Sequence, residues 1–425
     1  MPHQLKAKNF IIERKWVLIG DEQGLGKTIE ALSILRERRF KQVLVVCPSM
    51  HRFTWEQEVE AFFEDELDTY NPIVQSGKEF DFDSDDNTIH IVSYEGLSKI
   101  PLDFKPQVLI FDESHYLKNL QTTRTQLAHD LAFRTQPEYL ILLSGTPVTN
   151  NVTEFYSPLK LLSYCPYGTN GLKLSEKSQY AFNTRFSHRS IERIYVRGEY
   201  IDVTKYKGIR NPHLLKEYLK SKYIRRLSKN VLDLPEIVDK EILLTKSLKR
   251  SDKVIKKEFQ DYRGGSHTST AKADNAFANA KSTVKYVIDL LSERDAIVIF
   301  TDHPKAAQEI HRLLPDGIKK YCLTGAIPAK SRRVILDEYQ AYSGKQVLVA
   351  TIGSASTGYT ITRARDLVFN DLPWVPTVLS QARKRIHRIG QTGTCVIHYI
   401  YKSPVDAYIR RALDDKLKVL GKEIL

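Results

Sequence analysis

Trp16-Val17-Leu18-Ile19-Gly20-Asp21-Glu22-Gln23-Gly24-Leu25-Gly26-Lys27-Thr28-Ile29 is the stretch on which the fold turns. Its first four residues form an apolar run of strand type, and Ile29, Leu32 and Leu35 then recur at helical spacing. Gly24-Leu25-Gly26-Lys27-Thr28 sits between them, where backbone N–H groups and a helix N-terminus can wrap phosphates. In that reading Gly24 and Gly26 allow close backbone approach, Lys27 reaches the β- and γ-phosphates, and Thr28 holds Mg²⁺. Asp21 stands where the usual pattern has its first glycine. A glycine-rich turn with a chance Lys-Thr therefore remains the competing reading.

Apolar runs repeat outward from this stretch. Val43-Leu44-Val45-Val46, Ile89-His90-Ile91-Val92, Val108-Leu109-Ile110-Phe111 and Tyr139-Leu140-Ile141-Leu142-Leu143 are separated by helix-length segments, which predicts a parallel sheet with crossover helices. From about 150 to 238 the chain is rich in Tyr, Lys and Arg and the alternation lapses. Val231-Leu232-Asp233-Leu234-Pro235 reads as a linker, and 261–270 as a mobile loop. Ile297-Val298-Ile299-Phe300, Val347-Leu348-Val349-Ala350, Leu367-Val368-Phe369 and Val396-Ile397-His398-Tyr399 resume the series. The expected fold class is α/β, with two parallel-sheet lobes of P-loop type. Lobe one spans 1–160, a basic-aromatic insertion and linker spans 161–238, and lobe two with a C-terminal brace helix spans 239–425.

Two further constellations carry chemistry. Asp112-Glu113 follows an apolar run, so its carboxylates fall at a strand's C-terminal end, where open α/β sheets bind ligands. Asp112 would hold Mg²⁺ through water, and Glu113 would orient or deprotonate an attacking water. Acidic residues after strands are also common without such a role. Gln381, Arg385 and Arg388 share one helical face if 377–387 is helical, an arrangement suited to a γ-phosphate or simply to solvent.

The 425 residues exceed one ordinary core and suit two or three domains. A net charge of +13 favours a polyanionic partner. No run of about eighteen apolar residues occurs, and the first residues lack the apolar segment of a secretory signal, so no membrane role is expected. Cys47, Cys165, Cys322 and Cys395 lie far apart, which fits a reducing cytosol or nucleus and argues against disulfides or a thiolate zinc site.

Together these stretches resemble the Swi/Snf family within helicase superfamily two. Asp21 to Thr28 is similar to its motif I, which also begins with Asp. Asp112-Glu113-Ser114-His115-Tyr116-Leu117-Lys118-Asn119 is similar to motif II, and Leu143-Ser144-Gly145-Thr146-Pro147-Val148-Thr149-Asn150 to motif III. Ala355 to Thr362 resembles motif V, and Gln381 to Gln391 motif VI. Tyr223-Ile224-Arg225-Arg226-Leu227 before Leu234-Pro235 is similar to the annealing-helicase, HARP-type branch. Basic Arg383-Lys384 departs from relatives that often carry acidic residues there.

The resemblance implies two RecA-like lobes that bind ATP and Mg²⁺ in the cleft between them. Gln4, Asp21, Gly24, Leu25, Gly26, Lys27, Thr28 and Gln381 would bind nucleotide, with Thr28 and Asp112 on the metal. Lys27, Asp112, Glu113, Arg385 and Arg388 would act in hydrolysis. Pro48, Ser49, Ser93, Tyr94, Ser144, Gly145, Thr146, Thr351, Thr357 and Gly358 would contact DNA or couple it to the nucleotide. Apart from the resemblance, the basic-aromatic stretches Lys205-Tyr206-Lys207 and Lys222-Tyr223-Ile224-Arg225-Arg226 are a further candidate for DNA contact, with core tyrosines and solvated charges as the competing reading. The implied activity is ATP-driven movement along double-stranded or forked DNA, by a monomer on that DNA. A strand-separating or RNA-directed helicase and a non-catalytic DNA-binding scaffold are the alternatives.

Overall fold

Runs such as Val108–Phe111 and Trp16–Ile19 are apolar at every position, so a strand built from them is stable only where both faces are covered. That is how the computed structural model uses them: these strands are buried throughout, and each fully covered Leu, Ile or Val stabilises by roughly 1.5–3 kcal/mol. The structure describes residues 1–64, 70–76, 80–82, 87–148, 151–167, 178–196, 199–243, 267–355, 360–401, 406, 409–411 and 413–414. The chain forms two compact units that divide between Val231 and Leu232.

The first unit holds a seven-stranded parallel sheet. Its strands are β1 (Trp16–Ile19), β2 (Gln42–Cys47), β3 (Asn71–Val74), β4 (Thr88–Ser93), β5 (Val108–Phe111), β6 (Tyr139–Leu143) and β9 (Tyr223–Ile224), in the order β3-β4-β2-β5-β6-β1-β9. Helix α1 (Pro2–Arg14) and helix α2 (Lys27–Glu37) lie against each other, and α3 (Arg52–Phe63) follows the turn after β2. One apolar layer gathers Val17, Ile19, Leu32, Leu35, Val45 and Ile110; the other gathers Leu18, Leu44, Phe111, Leu142 and Phe155.

The second unit holds β10 (Ile237–Leu243), β11 (Ala296–Thr301), β12 (Lys319–Leu323), β13 (Gln346–Thr351), β14 (Asp366–Phe369) and β15 (Cys395–Tyr401). They form a parallel sheet in the order β10-β15-β14-β11-β13-β12. Helix His267–Leu290 covers one side through Ala280, Val284 and Val287. The expected parallel α/β lobes are therefore present.

Several elements escaped the sequence reading. β3, β10 and β12 are short or partly exposed edge strands, whose mixed polar pattern hides them. The stretch read as irregular contains a long antiparallel hairpin, β7 (His188–Val196) with β8 (Glu199–Lys207), and also β9. Helix His267–Leu290 takes the last four residues of the expected loop; the rest of that loop lies outside the described residues. Most of the expected brace also lies outside them, although Ile409 and Leu413 are buried in the core of the second unit. Among the described residues no helix is long and apolar enough to cross a membrane. All four cysteines are free thiols.

Candidate active site

Parallel pairing brings the C-terminal ends of β1, β5 and β6 side by side, because Phe111 pairs with Leu142 and Leu142 with Leu18. The residues that follow these strands therefore share one sheet edge. Ser144 N donates to Ile19 O at 3.0 Å, and Asp112 N donates to Val46 O at 2.8 Å, which extends each strand by one residue into the site.

The loop after β1 needs its glycines. Gly24 has φ 87° and Gly26 φ 82°, the left-handed region that side chains rarely adopt. A Cβ on Gly26 would fall 2.4 Å from Gln4 Nε2. That packing explains how α1 supports the loop: His3 Nε2 lies 2.9 Å from Leu25 O, and Gln4 Nε2 donates to the same carbonyl at 3.3 Å. Lys27 Nζ donates to Asp21 O at 2.9 Å. Burial lowers the Lys27 pKa, opposed by the charges of Glu113, Asp112, Glu30 and Asp21. Thr28 follows at the start of α2, beneath a helix N-terminus suited to phosphate.

Asp112 and Glu113 are held apart in role. Asp112 Oδ2 accepts from Trp55 Nε1 at 3.0 Å and lies 3.1 Å from His51 Nδ1, while Oδ1 accepts from Glu113 N at 2.8 Å. Glu113 itself adopts φ 48°, the left-handed region that side chains rarely enter. His115 Nδ1 lies 3.1 Å from Glu113 Oε2 and 3.2 Å from Ser144 Oγ, so one ring joins the acidic pair to the turn after β6. Ser144 Oγ accepts from Thr146 N at 3.2 Å. A Cβ on Gly145 would come 3.3 Å from Lys27 Nζ, which places that turn against the lysine.

A buried ion cluster underlies the loop. Arg226 Nε donates to Asp21 Oδ2 at 2.8 Å and Nη2 to Glu30 Oε1 at 3.0 Å; the guanidinium also engages the His3 carbonyl. Asp21 and Glu30 are fully buried. Burial, followed by the charge of Asp21, pushes the Glu30 carboxyl up to about 9 against the pull of Arg226. Glu30 thus keeps its proton at neutral pH and hydrogen-bonds Asp21. Asp21 Oδ1 and Glu30 Oε2 are buried and take no other hydrogen bond. The same segment adds Gly20 N to Ile224 O at 2.7 Å, Glu22 N to Arg226 O at 2.9 Å and Ser228 N to Glu22 Oε2 at 2.7 Å.

Glu30 carries a pH dependence. Folded, it holds its proton to about 9; unfolded, it releases it near the ordinary carboxyl value of 4.5. The native state binds more protons between those limits, so stability falls as pH rises through them. Glu30→Gln cannot titrate. Its thermal midpoint is expected to gain on the parent from about pH 6 to about pH 9. A constant difference across that range would show that Glu30 is ionised in the fold.

Several of the expected DNA contacts have partners within the protein or are buried. The Tyr94 hydroxyl donates to Asp112 O at 2.7 Å, and its ring is buried, stacked 5.4 Å from Tyr116 under Arg124. Arg226 is committed to Asp21 and Glu30, and Arg225 Nη1 donates to Gly20 O at 3.4 Å. Pairing with β1 draws 222–226 inward, where the charges serve the loop, and Lys222 is buried with them. Ser49 is exposed on the turn after β2 with Pro48 beside it, whereas Ser93 is buried at the end of β4. The Thr351 hydroxyl donates inward to Ser354 Oγ at 2.7 Å. Thr357 and Gly358 lie outside the described residues.

In the second unit the helix carrying Gln381 ends at Arg383, short of the expected 387. Lys384 N bonds Ser380 O and Arg385 N bonds Ala382 O at 3.1 Å, a tightened last turn that leaves Arg385 and Arg388 on turns beyond the helix. Gln391 Nε2 ties those turns to Thr362 O, Ala364 O and Ile386 O. Arg383 pairs with Asp239 at 2.8 Å. Sequence reasoning missed Glu30, His51, Trp55 and a structural role for Arg226. Only Arg226 left a signal, as part of a run similar to one family branch.

A parallel α/β lobe with this glycine loop, acidic pair and Ser-Gly-Thr turn on one edge is of the nucleotide-binding helicase class. The chain belongs to the SNF2-related domain family, whose pattern matches residues 3–291, and the helicase conserved C-terminal domain matches 282–390. Relatives include the SWI/SNF-related matrix-associated actin-dependent regulator of chromatin subfamily A-like protein 1 of Xenopus laevis. It is 30% identical over 99% of this chain and 44% of that protein. The human DNA annealing helicase and endonuclease ZRANB3 is 26% identical over 100% of this chain and 40% of its own length. The chain thus spans under half the length of these two relatives. The Sulfolobus solfataricus SWI2/SNF2 ATPase core in complex with dsDNA is 20% identical, with TM-score 0.44, covering 100% of this chain and 92% of that one.

Proposed function

We propose that this chain hydrolyses ATP to move along duplex DNA and remodels or reanneals it. The observation that carries the reading is the gathering of Lys27, Asp112, Glu113 and Ser144 on one sheet edge, with His115 joining the last two. The loop geometry fits a triphosphate: the left-handed glycines put no side chain over its backbone, and Lys27 is half-buried within the field of Glu113 and Asp112.

Lys27 would neutralise phosphate charge, and Glu113 would orient the attacking water and take its proton. Thr28 and Asp112 would hold Mg²⁺, which supplies charge neutralisation at the phosphate oxygens. His51 and Trp55 keep the Asp112 carboxylate oriented. Gln4 would read the base, and Gln381, Arg385 and Arg388 would act on the nucleotide during turnover. Ser144, Gly145 and Thr146 would report the nucleotide's state to the DNA-binding surface.

A motor that steps along any sequence grips phosphates, so its DNA dependence is electrostatic. Phosphate release is expected to rise with duplex DNA more than with RNA, and the stimulation to fall steeply as salt increases. A rate indifferent to every nucleic acid overturns the reading. Stimulation by RNA alone, or displacement of a strand without duplex tracking, transfers it to the strand-separating or RNA-directed class.

A further inference from the structure

The β7–β8 hairpin has no part in the site above. Its register pairs Tyr195 with Tyr200 next to the tip, and Arg193 with Asp202 and Ile191 with Thr204 below. Because side chains alternate across a strand, Arg189, Ile191, Arg193 and Tyr195 share one face with Tyr200, Asp202, Thr204 and Tyr206. That face is open to solvent: Tyr195 is 64% exposed, Tyr200 68% and Ile191 61%. The two tyrosine rings lie 5.0 Å apart. At the base Arg189 donates to the hydroxyl of Tyr180, itself an exposed aromatic. A two-stranded ribbon that leaves such rings in water gains little from its own packing.

The base of the hairpin is nonetheless firmly held. Ser187 Oγ lies 3.1 Å from Gly208 O, and Arg210 N donates to Phe186 O at 2.8 Å. Asn151, just beyond the turn of Ser144 to Thr146, donates through Nδ2 to Tyr206 O and caps the following turn through Oδ1. The hairpin is therefore fastened to the segment that leads out of the candidate active site.

We propose that this hairpin face is a stacking platform for an unpaired base at a duplex–single-strand junction, with Tyr195 and Tyr200 as the platform. The chemistry selects that partner. Stacking needs a free base face, and inside a continuous duplex every base face is covered, so only an end or a junction offers one. Arg and Lys outnumber Asp and Glu five to three over residues 188–207, which favours a polyanion. A protein partner would call for a contiguous apolar centre, whereas here charges alternate with the rings. The proposal rests on the reading of the chain as a DNA motor and adds where a fork would be recognised.

The test uses the full chain, with binding measured without ATP. Tyr195→Ala/Tyr200→Ala is expected to bind a forked duplex with single-stranded arms roughly 5–100-fold more weakly. Its affinity for covalently closed circular duplex, and the ATPase rate that circle stimulates, remain parental and show that the variant is folded. Tyr195→Phe/Tyr200→Phe keeps the rings and is expected to keep the fork preference. The proposal is overturned if the parent binds forks no better than closed circles, or if the alanine variant keeps the preference. It is also overturned if the variant loses both substrates equally, which would mark a general phosphate contact. Parental affinity for both, with a protein captured instead, overturns it too. The motor reading fails by a separate result, an ATPase rate that closed circles leave unchanged.

Discussion

A Glu113→Gln variant is expected to hydrolyse ATP about 10²–10⁴-fold more slowly than the parent while still binding it. The reason lies in the charge state of this carboxylate. Burial alone would raise its pKa, but the hydrogen bond and charge of His115, with His51 and Lys27 behind, outweigh burial and hold it down at about 2. Glu113 is thus ionised over any working pH, in the charged form that orients an attacking water and offsets the positive charge developing on it, which an amide of the same shape cannot do. The acid limb of a pH–rate profile should then belong to another group. Single-turnover phosphate release with a parallel nucleotide-binding titration checks this. Parental turnover in the variant would remove Glu113 from the chemistry and the proposed site with it.

Arg226→Met is expected to cost about 3–5 kcal/mol of stability, because it strands a buried charge. Arg226 is 13% exposed and its two acidic partners are fully shielded. Asp21 Oδ2 accepts from both Nε and Nη2 of the guanidinium, so Asp21 is the partner that loses most when the arginine is removed. Asp21→Asn in the same chain should therefore recover most of the loss, whereas in the parent it would leave Arg226 unpaired instead. Urea unfolding of the four chains gives the coupling directly. A loss below about 1 kcal/mol for Arg226→Met would mean that water screens the cluster. Nucleotide affinity should fall alongside stability, since Arg226 braces Asp21, whose carbonyl holds Lys27.

Which features could be read in advance follows from the range of the forces involved. Strands β1, β2, β4, β5, β6, β11, β13, β14 and β15 were legible because burial on both faces demands unbroken apolar runs, which show in the residues themselves. Short or exposed edge strands carry no such signature, so β3, β9, β10 and β12 were missed. The hairpin was missed for the same reason carried further: both its faces meet water, and its Tyr, Lys and Arg content reads as irregular chain.

The site divides along the same line. Local turn chemistry was enough to single out Gly24, Gly26, Lys27 and the acidic pair, since a left-handed turn before a helix requires glycine and phosphate requires the lysine. Arg226 and Lys222 could not be assigned that way. A surface arginine and a buried one look identical in a chain, and Arg226 lies 205 positions along the chain from Asp21 and meets it only once the fold is formed. The order of the residues therefore determined the two parallel α/β lobes and the loop between β1 and α2. Only the tertiary structure decided which charges face solvent and which brace that loop, because desolvation and ion pairing depend on neighbours in space.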